Sequence, residues 1–244
     1  MVKGFLVWLA VALAALSGCQ SGSGSQEEPP PRVQLIPKGP EDAVEEKGID
    51  AVPESDAIYL EWFPVNDMDL VAYDIFRQAN DSSGTFIKVG SVQRQFENEV
   101  LPTSFIDSTV SLNVRYYYYV EARDEAGLSS EPSEKTSYML VDKPSLQSPS
   151  GVMQDTLFVW DFSENYVPLE FVFRLERKEG ENFVPFHLYV GDLQFNLLAH
   201  QEWGMHRLQL FNLPPGFYRW RIDVLGSEPN QGAESNWKTF VVQP

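Results

Sequence analysis

Residues 116 to 133 read YYYYVEARDEAGLSSEPS, and the fold turns on how this stretch is read. In its first half Tyr116, Tyr118, Val120 and Ala122 recur at every second position. Successive side chains of a strand point to opposite sides, so these four share one inward face, while Tyr117, Tyr119, Glu121 and Arg123 face outward. DEAG (124 to 127) and the serines and proline after it are turn chemistry. Working outward, the same alternation returns at Ile58, Leu60 and Trp62, and at Val71, Tyr73 and Ile75, with NDSSG (80 to 84) as a second turn cluster. No 3.6-residue apolar stripe stands out after residue 50, so the chain is expected to be all-β.

The succession IYLEW (58 to 62), DLVAYDIFR (69 to 77), TSFIDSTV (103 to 110) and YYYYVEARDEAGLSSEPS resembles a fibronectin type III domain. The resemblance implies a two-sheet sandwich over residues 51–142, with Trp62 and Tyr73 in its core. It further implies that Tyr116 forms a tyrosine corner, its hydroxyl bonded to nearby backbone. A similar order returns as TLFVW with Trp160, EFVFRLER, and LPPGFYRWRIDV with Tyr218 and Trp220. Trp160 follows Trp62 by 98 residues and Tyr218 follows Tyr116 by 102, the spacing of a repeat. Residues 143–244 are therefore expected to form a second fibronectin-III-like sandwich. The short junction Val141-Asp142-Lys143-Pro144 predicts an end-to-end arrangement with limited bending.

The N-terminal 18 residues, MVKGFLVWLAVALAALSG, carry one positive charge at Lys3 and then an apolar run too short to span a bilayer, the pattern of a signal peptide. Leu16-Ser17-Gly18-Cys19 resembles the lipobox of bacterial lipoproteins. That resemblance implies cleavage between Gly18 and Cys19 and a diacylglyceryl cysteine carrying palmitate-like chains. Two or three chains hold a protein on a membrane lastingly, where one does not. Gln20, rather than Asp, implies the outer membrane by the same resemblance. Cys19 is the only cysteine, so no intrachain disulfide is available. Residues 19–50, rich in Gly, Ser, Pro and acids, read as a flexible tether.

The formal net charge is −17, and loss of Lys3 with the signal peptide makes the remainder one unit more negative. Nucleic acid and anionic lipid surfaces repel such a chain, and neither is expected as a partner. The outlook for catalysis is equally poor. His187, His200 and His206 fit no metal-ligand spacing, GxSxG and glycine-rich phosphate loops are missing from the sequence, and no cofactor, metal or enzyme activity is expected. Asp67 with Asp69, and Asp124 with Glu125, read as turn-forming acids; a calcium site between their loops is the alternative.

A partner surface is expected instead. Asp74 and Phe76 alternate outward beside Tyr117 and Tyr119, so Phe76, Tyr117 and Tyr119 are the candidate aromatic patch, unless Arg77, Arg123 or other long side chains lie over the rings. The run 183 to 205, FVPFHLYVGDLQFNLLAHQEWGM, is the second candidate: either an apolar edge for pairing, or Phe186, Leu188, Phe195 and Leu197 complete a core. The expected function is that of a lipid-anchored scaffold in the cell envelope that holds a protein partner. Glycan attachment, or a place in a secretion or surface assembly, is the alternative.

Overall fold

In the computed structural model, the residues described are 28–38, 46–94, 100–153, 157–162, 168–192 and 205–244. The signal peptide, Gly18, Cys19, Phe195, Leu197 and His200 lie outside them. The described residues form strands and no helix, arranged as two tandem β-sandwiches. Among them no helix is long and apolar enough to cross a membrane.

The first sandwich sets a three-stranded sheet, β1 (Ile49–Ala51), β2 (Ile58–Glu61) and β5 (Ser104–Asp107), against four strands in the order β7 (Thr136–Leu140), β6 (Arg115–Asp124), β3 (Leu70–Ala79) and β4 (Ile87–Gln93). Strand β6 alternates buried and half-buried residues over its whole length, as its sequence predicts. Trp62 is 1% exposed and meets Tyr73 edge to face at 5.2 Å. The hydroxyl of Tyr116 accepts the N–H of Ser111 at 3.1 Å, closing the corner at the entry to β6.

Two expectations are corrected here. Val71 is only half-buried: a bulge opposite β6 between Leu70 and Ala72 shifts the frame, and Leu70, Ala72, Tyr73 and Ile75 enter the core instead. The tether, expected to reach residue 50, ends much earlier. Val33 is 1% exposed in the first core, Leu35 bridges Trp62, and the N–H of Phe63 donates to Gln34 at 2.9 Å. Val33 and Leu35 stand two apart, which is strand periodicity too brief to see among prolines and acids; their burial against β2 and Trp62 outweighs the local composition.

The second sandwich repeats the plan. Its small sheet is β8 (Ser145–Ser148), β10 (Leu157–Asp161) and β13 (Met205–Gln209). The large one runs through β11 (Glu170–Glu179), β12 (Asn182–Asp192) and β14 (Gly216–Leu225), with β16 (Lys238–Val242) beside β14 and β9 (Gly151–Met153) beside β16. Phe158, Trp160, Phe173, Tyr218, Trp220 and Phe240 make its core, and the Tyr218 hydroxyl donates to the Pro214 carbonyl at 2.8 Å, the counterpart of the Tyr116 corner.

The two large sheets are one. Strand β15 (Gln231–Glu234) pairs antiparallel with β14 and parallel with β7, so a single ten-stranded sheet runs through both sandwiches. The N–H groups of Met139 and Val141 donate to the carbonyls of Asn230 and Gly232 at 3.0 and 3.1 Å. Gly232 permits this approach: a Cβ there would lie 2.3 Å from the Val224 carbonyl oxygen and 3.2 Å from the Tyr138 hydroxyl.

Candidate functional site

Phe76 and Tyr119 are register partners on β3 and β6, and their rings stack at 4.8 Å and 14°. Phe86 adds a third ring 4.9 Å from Tyr119. The ammonium of Lys135 sits 4.8 Å from the Phe86 centroid and donates to the Ser82 carbonyl at 2.6 Å, covering the patch on one side. Tyr117 lies one pleat away between Gln78 and Ser137. The structure thus brings together Phe76, Tyr119 and Phe86, with Tyr117 as a flank; Phe86 escaped the sequence reading because it precedes a strand in a turn-rich segment.

Arg77 and Arg123 are occupied elsewhere, Arg77 at Asp107 (2.6 Å) and over the Tyr116 ring (4.7 Å), Arg123 at Asp74 (3.2 Å). Asp74 does not stand open to solvent as its position suggested. It is 6% exposed, held by Ser91, Lys88 and Arg123. Burial, followed by the charge of Asp74, pushes the nearby Glu121 carboxyl up, and burial with the charge of Glu121 does the same to the Tyr119 hydroxyl. The patch is therefore a half-buried aromatic plateau with a charged rim, the pattern of a contact surface with an apolar centre.

The other candidates separate. His206 lies in the small sheet of the second unit, 4.5 Å from Phe162 and stacked over Trp160, and burial lowers its pKa. His187 lies in the large sheet beside Phe173. The Asp67 carboxylate accepts the Asp69 N–H at 3.0 Å, and the Asp124 carboxylate accepts the Leu128 N–H at 2.8 Å, so each organises its own turn. Along β12, Phe186, Leu188, Tyr189 and Val190 are all exposed, although Phe186 also meets the Tyr218 ring at 5.5 Å. The segment thus borders the core at Phe186, His187 and Tyr189 and offers apolar surface at Leu188 and Val190.

Sequence reading missed the densest charge cluster, which sits where the sandwiches join. Arg221, outward on β14, is 1% exposed. Its guanidinium meets Glu46, Asp223 (2.8 Å) and Glu234 (3.2 Å) and lies 4.7 Å from the Trp237 ring. Arg174 pairs with the same Asp223 and with Glu46 at 3.2 Å. From the first unit come Asp50, paired with Lys38, and the Tyr138 hydroxyl, which donates to Asp50 at 3.3 Å. Lys143 in the junction donates to the carbonyls of Val52, Pro53 and Ser55 at 2.7 to 2.8 Å, and Arg115 meets Glu228 across the joint at 2.9 Å. Oxygens of Glu46, Asp223 and Glu234 lie within 4.8 Å of one another, a spacing a metal ion could bridge; here the Arg221 guanidinium fills that place. The only trace in sequence is the alternation of Arg219, Arg221 and Asp223 against Trp220 and Ile222.

No protein-family model matches this chain, and no curated protein matches it. Among solved structures it is similar to the central fibronectin-III array of RIM-binding protein, at 12% identity and a TM-score of 0.28, over 88% of this chain and 68% of that one. A likeness at that level carries no functional argument.

Proposed function

We propose that this chain is a non-enzymatic scaffold, anchored in the bacterial envelope through lipid on Cys19, that holds a protein partner on the outer face of its first sandwich. The observation that carries the reading is the Phe76–Tyr119–Phe86 plateau on a sheet continuous through both units. Aromatic side chains on a rigid strand offer contact area with little ordering cost, and an apolar centre with a charged rim suits a protein surface. Glycan attachment needs an open ring face. Tyr119 has Phe76 stacked against it and Phe86 tilted beside it, which favours protein over sugar.

A photo-crosslinking residue in place of Tyr117, in living cells, tests the proposal. It is expected to trap one discrete envelope protein, and Phe76→Ser with Tyr119→Ser is expected to abolish the trapping while the melting transition persists. Retained trapping in the folded double variant, or retention of the protein on envelope polysaccharide with no crosslink, would count against it.

A further inference from the structure

The geometry points to a pH-operated latch between the two sandwiches: the joint is closed while the carboxyl of Glu234 carries a proton and loosens when that proton is lost. Beside Lys143, whose ammonium is held by the Val52, Pro53 and Ser55 carbonyls and faces Asp56, the joint packs four carboxyls, of Glu46, Asp50, Asp223 and Glu234, against three further cations, of Lys38, Arg174 and Arg221. Lys38 is committed to Asp50, and Arg174 to Asp223 and Glu46. Arg221 is shared among Glu46, Asp223 and Glu234, so the two arginines face three carboxylates and one negative charge is in excess, in a cluster where Asp223 and Glu234 are buried and only Glu46 reaches solvent. Such an excess is costly, and a bound proton removes it.

The proton belongs to Glu234. It is 5% exposed, at the end of the strand that pairs with β7, and Asp223 and Arg221 of β14, Asp50 of β1, Glu46 ahead of β1, Tyr138 of β7 and the more distant Lys143 of the junction all act on it or through it. Burial first, and the charge of Asp223 second, push its pKa up to about 9. Burial raises Asp50 as well, against the pull of Lys38. A carboxyl raised on docking favours the docked form fully below the ordinary glutamate range, and that advantage fades as pH rises towards 9. Opening the joint between β15 and β7 lets water reach Glu234 and relieves the excess charge, while β15 stays paired with β14 and Ala233 keeps its place in the second core.

The backbone supplies its own reporters, since the Met139 and Val141 amides donate across the joint. Hydrogen exchange on the full chain, corrected for the intrinsic pH dependence of exchange, should show protection at these two amides falling at least tenfold between pH 7 and pH 10, while amides of Tyr118 and Trp220 keep theirs. Glu234→Gln, which keeps the shape of the protonated side chain and cannot ionise, should hold Met139 and Val141 protected at both pH values. Lys143 still titrates in that variant, so an equal loss in wild type and variant would overturn the proposal. So would pH-independent protection in the wild type, or simultaneous loss at Tyr118 and Trp220.

Discussion

Asp107, closing β5, is buried and accepts hydrogen bonds from the Thr109 N–H (3.0 Å) and hydroxyl (2.7 Å) on one oxygen, and from Arg77 (2.6 Å) and the Tyr118 hydroxyl (3.0 Å) on the other. Burial by itself would raise its pKa, but the bonds from Thr109, then those from Arg77 and Tyr118, outweigh it and hold the carboxyl below the usual aspartate range. A depressed pKa contributes stability above the unfolded value that is lost as pH falls through the folded one. Asp107→Ala strands Arg77 and Tyr118 and is expected to cost about 3 kcal/mol at pH 7. Urea midpoints should show the gap between wild type and variant narrowing below about pH 4; a gap that stays constant to pH 2.5 would remove Asp107 from this role. At this scale the sequence was readable wherever a side chain obeyed strand alternation, as Trp62, Tyr116 and Tyr118 do. It was unreadable wherever a polar residue was paired through space: nothing local distinguishes Asp107 or Asp74 from the turn acids Asp67 and Asp124.

Among elements, the long strands were legible, β6 by clean alternation and β3 and β14 by the partial alternation around Tyr73, Ile75, Tyr218 and Trp220, and the repeat of about 100 residues placed the second sandwich. The short pieces were not. Residues 28–38 read as tether because their packing depends on Trp62, nearly thirty positions away. Strand β15 is four residues long, and its parallel partner lies some ninety positions earlier, beyond any local signal. Gly232 is the hinge of that pairing. Gly232→Val places a branched side chain against the Val224 carbonyl and the Tyr138 hydroxyl, with an overpacking cost of about 1 to 3 kcal/mol. The tighter clash is with β14, so relief shifts β15 off β14 and breaks the bridge that β15 makes between β14 and β7. Calorimetry should therefore show one cooperative transition for the wild type, in which the shared sheet couples the units, and two for the variant. A single transition in Gly232→Val would mean that the junction Val141-Asp142-Lys143-Pro144 couples the units without β15.

For the whole molecule, the packing of Val33 shortens the reach from the proposed anchor. Fourteen residue steps separate Cys19 from Val33, which bounds the distance from lipid to first sandwich at about 50 Å even if fully extended, against the longer arm that a tether to residue 50 implied. A partner of the Phe76–Tyr119 plateau must therefore work close to the membrane. With 35 acids against 18 bases the chain is repelled by anionic headgroups, so in this proposal the acyl chains, each methylene worth about 0.8 kcal/mol, hold it there. Cells fed a labelled fatty acid should place the label on this polypeptide, and Cys19→Ser should lose both label and membrane fraction together, releasing a folded protein whose two sandwiches melt as before. If Cys19→Ser stays with the membrane after a high-salt wash, attachment runs through a protein contact instead, and the aromatic plateau is the first place to look for it, because a chain of net charge −17 would not be held there by lipid charge.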